Sequence, residues 1–220
     1  MAIRPRCGAG VELDMRFSLG MAKLAGVLAL MFLAGCGGTF RTAYSDEVAA
    51  SQSAGWRLSS VTVTAPRSLV VSEAEVFIPK ADIVWREDPV TGNRYEQVEA
   101  IMENAIAQGA RGLNGSRPVR IEATMTRFHA MTFKAETQAP SGVHDVEFNL
   151  QIKDARTGAV LFGPEYVEAS FPAMTGAQMA RARVAGQSQK SQITAHVAQT
   201  IRGLLGLGPD ARRTFNGIGG

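Results

Sequence analysis

Cysteine, histidine and surplus charge are all scarce in this sequence. Two cysteines and three histidines among 220 residues exclude a disulfide-built scaffold and a cysteine-rich zinc module, and they argue against a metal site built from histidines. The net charge of +3 falls to +1 once residues 1–35 are set aside, because 19 basic and 18 acidic residues remain. This balance lacks the basic footprint of a nucleic-acid-binding protein. Apolar residues at 45% and charged residues at 20% are typical of a folded globular chain.

An uncharged apolar run, LAGVLALMFL, occupies residues 24–33. It is too short to cross a hydrocarbon core of ~30 Å as a helix, but it suits the central part of a signal peptide, with Arg16 and Lys23 as the basic part before it. The run ends in the sequence LAGC at residues 33–36, which resembles the lipobox of bacterial lipoproteins. The alternative is an ordinary secretory signal or membrane anchor in which the cysteine is incidental.

The lipobox resemblance implies that the thiol of Cys36 accepts a diacylglycerol as a thioether and that cleavage makes Cys36 the first residue of the mature protein. In many Gram-negative bacteria the new amine is acylated too, and two or more acyl chains anchor a protein stably in a bilayer. In the sorting rule known for enterobacterial lipoproteins, Asp after the cysteine retains the protein in the inner membrane. Gly37 therefore favours the periplasmic face of the outer membrane.

The first 14 residues do not fit a signal peptide. They carry both charges and no apolar run, whereas residues 15–35 contain a conventional lipoprotein signal peptide. We therefore expect residues 1–14 to reflect a start assigned too early, with translation beginning at Met15, or at Met21 for a very short leader. Cys7 would then be absent from the protein, and the mature chain would carry no free thiol, as suits an oxidising periplasm.

The mature chain divides into three parts by composition. Residues 36–55 are small and polar and predict a flexible tether behind the lipidated cysteine. Residues 56–207 contain the periodic segments and predict a single periplasmic domain. Residues 208–220 read as a disordered tail.

The periodic segments predict an α+β fold. Alternation of apolar and polar residues predicts four strands, at residues 56–63, 119–125, 143–152 and 160–171. Apolar spacings of three and four predict two main helices, at residues 94–108 and 187–205. The order β-α-β-β-β-α indicates an antiparallel sheet of about four strands with both helices packed on one face, leaving the other face wet or covered by a partner.

Motifs that would carry chemistry are missing from the sequence. It contains no glycine-rich phosphate loop and no HExxH, CxxC or GxSxG motif. His129, His144 and His196 lack the spacing of metal ligands, although the first two could meet across a hairpin. We therefore predict no catalytic residue, no metal site and no cofactor.

Two polar clusters are candidate partner-binding sites. Trp85, Arg86 and Asp88 lie within four residues of each other and could form a binding lip, since tryptophan is a frequent anchor at interfaces. The alternative is a loop that folds over the sheet, with Trp85 covering the core and Arg86 paired to an acid. Arg117 and Arg120 could bind a phosphate or carboxylate, or form ordinary surface salt bridges.

Several segments together resemble a family of uncharacterised alphaproteobacterial lipoproteins. They are the lipobox, ADIVWREDP at residues 81–89, RPVR at 117–120, FHA at 128–130, GVHDVEF at 142–148 and DARTG at 154–158. The resemblance covers nearly all of the mature chain and implies a shared domain and an envelope location. It brings no catalytic residues. The element order is more loosely similar to small α+β modules of transport-auxiliary and secretion-channel lipoproteins.

These observations predict a non-enzymatic outer-membrane lipoprotein that binds or scaffolds an envelope protein partner in assembly or transport. One alternative is a carrier of lipids or other hydrophobic ligands, with a cavity between sheet and helices lined by Met102, Phe148 and Phe162. Another is a periplasmic hydrolase, which needs the carboxylates of residues 82, 87 and 88 to converge with a histidine in one cleft.

Overall fold

A computed structural model describes residues 38–217. The predicted leader and the predicted lipidation of Cys36 therefore lie outside the described residues. Residues 37–220 make up a compact unit by themselves. Within residues 38–217, no helix is both long enough and apolar enough to cross a bilayer.

Strands and helices alternate along the described chain. The strands are β1 (Gly38–Ala43), β2 (Trp56–Thr64), β3 (Ile83–Val84), β4 (Arg117–His129), β5 (Gly142–Asp154), β6 (Val160–Ala169), β7 (Phe171–Ala173) and β8 (Arg213–Gly217). The α-helices are α1 (Ala50–Ser53), α2 (Arg94–Gly109), α3 (Phe133–Gln138), α4 (Gly176–Val184) and α5 (Gln189–Leu204), with a short 3₁₀ turn at Ala110–Gly112.

The eight described strands form one mixed sheet, in the order β2-β4-β5-β6-β1-β8. β3 pairs with the end of β4, and β7 pairs with the start of β5. β2 and β3 run parallel to β4, whereas β4, β5, β6, β1 and β8 pair antiparallel. The predicted antiparallel sheet of about four strands with two helices is therefore wrong.

The parallel pair follows from the long connection between β2 and β4. Because that connection contains helix α2, it is a crossover, and a crossover returns the chain in the same direction. Alternation within a strand tells which face is buried but does not give the direction of its neighbour. The local pattern of β4 therefore predicted the strand correctly, while the antiparallel assignment of its β2 neighbour was wrong.

The core lies between the inner face of the sheet and helices α2 and α5. β4 and β5 each contribute a row of alternate buried side chains, and the helices contribute one apolar stripe each. Asn93 caps α2 by accepting a hydrogen bond from the backbone N–H of Tyr95 at 3.1 Å, as a side-chain oxygen at the N-cap position commonly does. The two helices approach closely at Gly109, where a Cβ atom would lie only 2.6 Å from the carbonyl oxygen of Ala198.

Both predicted flexible segments contribute strands to the sheet. Residues 38–43, expected as part of the tether, form β1, and residues 213–217, expected as part of the tail, form β8. The two strands pair with each other from Gly38 opposite Gly217 to Thr42 opposite Arg213. The ordered domain is therefore larger than the predicted 56–207, because each segment supplies the hydrogen bonds that the other needs.

Candidate functional site

The predicted binding lip is part of the fold's own packing. Trp85 is fully buried and meets the ring of Phe128 edge-on, with ring centres 5.8 Å apart. Arg86 pairs with Glu73 and, at 2.7 Å, with Glu75. The loop therefore covers the core, as in the alternative interpretation, and the partners of Arg86 come from an earlier loop. Of the three lip residues, only Asp88 is exposed.

Glu87, between the lip residues, holds the start of helix α5. Its two carboxylate oxygens accept hydrogen bonds from the backbone N–H groups of Gln189 and Lys190 at 3.1 and 2.8 Å. An acidic group at a helix N-terminus satisfies free N–H donors and complements the helix dipole. Arg183 links Glu87 to the buried Glu136, and this pairing raises the pKa of the Arg183 guanidinium. These groups therefore stabilise a junction between elements.

Arg117 and Arg120 also form ion pairs. The Nε of Arg117 donates to Asp154 at 2.8 Å, and that of Arg120 donates to Glu122 at 2.8 Å. The Arg117 hydrogen bond is the main reason that the pKa of Asp154 lies well below its ordinary range. Eleven residues of β4, about 36 Å of extended chain, separate Arg117 from Phe128, where the Trp85 loop meets the strand. The two predicted clusters are therefore not brought together.

The three histidines are buried and lie in two places. His129 donates to the carbonyl oxygen of Pro79 at 3.2 Å and stands opposite Asp145 in the sheet, so it does not meet His144 directly across the hairpin. His144 and His196 both pack against the ring of Phe171, with ring centres 4.9 and 4.4 Å from it. Burial lowers the pKa to about 4 for His129, about 3 for His144 and about 4 for His196, so all three rings are neutral at pH 7.

Buried polar groups near this stack form a structural network. Asp145 accepts hydrogen bonds from Ser170 Oγ and from Arg127 Nε, both at 2.6 Å. The ring of His196 is directed at Thr42 Oγ1 at 2.9 Å, and that hydroxyl donates to the carbonyl of Ser170. Among the described residues, no histidine forms a hydrogen bond with the hydroxyl of Ser170. A serine nucleophile needs such a base next to its hydroxyl. Among residues 38–217, no three His, Cys, Asp or Glu side chains are grouped closely enough to hold a metal ion.

Four large apolar side chains that the core does not use gather at one end of β4 and β5. We call Val76, Phe77, Ile78 and Phe133 the apolar patch; their exposed fractions run from 44% to 69%. The first three lie in the loop before β3, and Phe133 begins α3. The hydroxyl of Thr132 donates to the carbonyl of Val76 at 2.8 Å, so the loop is held against the start of α3.

A cavity of about 240 Å³ opens beside the apolar patch. Phe77 and Ile78 form part of its wall, and Met131, Ala135 and Val143 line it together with residues from the end of α3 and the turn that follows. This cavity is not the one that the sequence analysis predicted between the sheet and the helices. Its expected lining residues Met102 and Phe148 are buried within the core cluster and Phe162 packs against that cluster, and none of the three lines the cavity beside the apolar patch.

The apolar patch lies close to the point where the chain enters the domain. Val143 lines the cavity, and a Cβ atom on Gly217 would lie 2.4 Å from Val143 Cγ2, so β8 passes directly over that side chain. Gly38 stands opposite Gly217. Cys36 precedes Gly38 by two residues, a span of at most about 7 Å. A lipid on Cys36 would therefore join the protein at the end of the domain that carries the patch.

The apolar patch was not predicted from the sequence, because the candidate binding sites proposed there were clusters of polar residues. The signal was three consecutive apolar residues, VFI at residues 76–78, in a segment with no predicted element. Such a run in a loop cannot be explained by the packing of a periodic strand or helix.

Comparisons with known proteins place the domain in a family. The match runs from residue 56 to residue 219. The chain belongs to DUF6778, a family of unknown function. The region that defines DUF6778 in this chain begins at Trp56, so Cys36 and β1 precede it. No curated protein shows significant similarity to the chain.

Solved structures with similarity to this DUF6778 chain are distant. A protein described as a candidate lipoprotein from Caulobacter crescentus matches with 13% identity and a TM-score of 0.32, covering 47% of this chain and 77% of its own. A PelC dodecamer from Paraburkholderia phytofirmans matches with 10% identity and a TM-score of 0.33, covering 76% of this chain and 96% of its own.

Proposed function

We propose that this DUF6778 protein is a lipoprotein anchored through Cys36 to the periplasmic face of the outer membrane. Its domain would act without catalysis, as a binding or scaffolding component of envelope assembly or transport. The observation that carries the proposal is the sequence LAGC at residues 33–36, preceded at signal-peptide spacing by an apolar run and two basic residues. Gly37 supports the outer membrane over the inner one.

The link between the lipidated cysteine and the domain is short, so the anchor would confine the domain to the membrane surface. Acyl chains confine a domain to a surface and raise its effective concentration for partners there by mass action alone. Because β1 begins at Gly38, two residues after Cys36, the anchored domain would be held at the bilayer and could not range far from it.

The non-enzymatic part of the proposal is supported by how the polar groups are used. Ser170 and Asp145 are bound to each other, and Glu87 caps a helix. These three groups, each of which could serve as acid, base or nucleophile, are therefore engaged in holding elements together.

Replacement of the cysteine tests the anchor. The full chain is expressed in a Gram-negative host as wild type, as Cys36→Ser and as the matched control Cys7→Ser, and the membranes are separated from soluble periplasm. We expect wild type and Cys7→Ser to be in the membrane fraction as cleaved, acylated chains, and Cys36→Ser to be neither acylated nor cleaved by the lipoprotein route. Equal processing and acylation of Cys36→Ser would contradict the proposal.

In-cell crosslinking followed by mass spectrometry tests the binding role. The wild-type lipidated chain should give reproducible crosslinks to one envelope protein, and these should weaken when the anchor is removed. Absence of any reproducible crosslinked partner in intact cells would count against a scaffolding role.

A second candidate function, a carrier of hydrophobic ligands, is favoured by the cavity beside the apolar patch. A fluorescent fatty acid titrated into the protein should bind if the cavity accepts acyl chains. Ala139→Phe, which fills the cavity from the end of α3, should then abolish binding without changing the thermal midpoint. No binding by wild type at micromolar protein would rule this candidate out.

A further inference from the structure

We propose that the apolar patch inserts into the surface of the same bilayer that holds the anchor, so that the domain touches the membrane at two places. This inference rests on the proposed function, because it takes the bilayer as the occupant of the patch. It goes further in fixing which face of the domain meets the lipid.

The patch groups exposed apolar residues, three of them consecutive in the chain, instead of scattering them singly over the surface. Phe77 is 47% exposed and lines the cavity; Phe133 is 69% exposed and follows Thr132, whose hydroxyl donates to the carbonyl of Val76. Contiguous exposed apolar surface of this kind marks a contact with a protein, a ligand or a membrane. Aromatic and aliphatic side chains at the tips of ordered loops are suited to the boundary between headgroups and acyl chains.

The position of the chain entry favours the bilayer over other occupants. Val143 has the cavity on one side and Gly217 on the other, and Gly217 pairs with Gly38. Cys36 can be no more than about 7 Å from Gly38. With Cys36 lipidated, the end of the domain that bears the patch is therefore held next to the headgroups, where lipid is always within reach.

The charged groups around the patch fit a lipid surface. Lys80 is exposed two residues after Ile78, and Lys134 holds its ammonium 4.8 Å from the ring centre of Phe77. Lysines can keep their ammonium groups among headgroup phosphates while their stems cover apolar surface.

The acids on the same loop do not oppose this fit. Glu73 pairs with Arg86 and Arg94, and Glu75 pairs with Arg86. The carboxylates that precede the patch are therefore balanced by guanidinium groups of the same protein, and the patch faces outward with the two lysines beside it.

Tryptophan substitution combined with bromine-labelled lipids measures the contact. The lipidated protein is purified as Phe77→Trp, Phe133→Trp and the control Val160→Trp, and each is reconstituted into phosphatidylethanolamine–phosphatidylglycerol vesicles with or without brominated acyl chains. Both native tryptophans, Trp56 and Trp85, are buried and give the same background in every variant.

Val160 is a suitable control because it is about as exposed as Phe77 and lies far from the apolar patch. It is 51% exposed and pairs with Lys153, ten residues along β5 from Val143, which is about 33 Å of extended strand. All three substitutions replace exposed side chains, so we expect unchanged thermal midpoints.

We expect the added tryptophans at 77 and 133 to shift to shorter emission wavelength and to be quenched by bromine at least about two-fold more than the one at 160, since interfacial segments enter the acyl boundary by roughly 5–10 Å. Equal quenching at all three positions in vesicles that carry the protein would overturn the bilayer contact alone. A blue shift at 77 and 133 that bromine does not affect would instead show that a second copy of this chain covers the patch, and would also overturn the bilayer contact. Failure of every variant to float with vesicles would overturn the anchor and the contact together.

Discussion

Gly38 lies directly opposite Gly217 in the β1–β8 pair, so the first and last described residues of the chain are neighbours. The rings of Phe40 and Phe215 stack within this pair, with centres 6.0 Å apart. β1 meets β6 only at Thr42 and its neighbour Ala43. Beyond the hydrogen bond that the Ser170 N–H donates to the carbonyl of Arg41, the part of β1 that leads to the predicted anchor is therefore paired mainly with β8.

Removing β8 should loosen β1 selectively. In a chain that ends at residue 212, we expect faster amide hydrogen exchange at those residues of 38–41 whose N–H groups point towards β8, and unchanged exchange in α2, because the lost ladder leaves these N–H groups to water. Exchange measured by mass spectrometry, with Thr214→Ala as a mild control in the same strand, checks this. Equal exchange in the truncated and full chains would show that β1 is held by something other than β8.

Gly109→Ala should destabilise the domain by about 1–3 kcal/mol. The added Cβ would lie 2.6 Å from the carbonyl oxygen of Ala198 and 2.7 Å from Ile201 Cβ, so α2 and α5 must move apart. Gly112→Ala is the control, since its Cβ would meet only the flexible end of Leu207 at 3.3 Å. Urea unfolding should show a clear loss for the first variant and a much smaller change for the second; similar values would mean that the two helices pack less closely than described.

Acidification should weaken the fold between pH 6.5 and 4. His129, His144 and His196 are buried neutral, with pKa values lowered to about 4, 3 and 4, whereas the unfolded chain protonates them near pH 6.5. In that window the unfolded state binds more protons, so the free energy of unfolding falls as the pH falls. At pH 5 the loss is about 2 kcal/mol for each histidine.

Urea unfolding at pH 7 and pH 5 measures this loss, and His144→Gln should reduce it by removing one protonation. The pKa of Asp210 is lowered to about 2, mainly by Arg212, so this carboxylate loses its contribution only below its ordinary pKa near 4. Burial raises the pKa of Glu147, so this carboxyl binds its proton more readily in the folded chain and opposes the histidine effect as the pH falls; the three histidines are the larger contribution in the window from pH 6.5 to 4. Identical unfolding midpoints at the two pH values would contradict their burial as neutral rings.

Gly37→Asp should move the lipidated protein to the inner membrane in an enterobacterial host. The substitution changes only the residue after the lipidated cysteine, so acylation and membrane association should persist. Density-gradient separation of the two membranes reads the result, with Gly37→Ser as the control that should stay in the outer membrane. An unchanged distribution of Gly37→Asp would show that this position does not sort the protein.

Periodic segments could be predicted from the sequence because their pattern is local. The stripe that forms α2 and the alternation that forms β5 each fix a buried face without reference to the rest of the chain. The structure extends the predicted helix at 94–108 to Arg94–Gly109 and the predicted strand at 143–152 to Gly142–Asp154.

The structural features that were not predicted from the sequence depend on contacts with residues far away in the chain. β1 and β8 have few apolar residues, and they become strands only because each finds the other at a separation of more than 170 residues. The burial of Trp85 depends likewise on Phe128, which lies on another strand. The apolar patch was missed for the opposite reason, since its residues satisfy no local pattern and pack in no core.

The most direct test of the account is the intact mass of the protein purified from the membranes of its native host. We predict a chain that begins at Cys36 and carries the added mass of a diacylglyceryl group on sulfur and an acyl group on the new amine. A chain that retains residues before Cys36, or one that begins there with an unmodified thiol, would contradict the anchor and the membrane contact that rests on it.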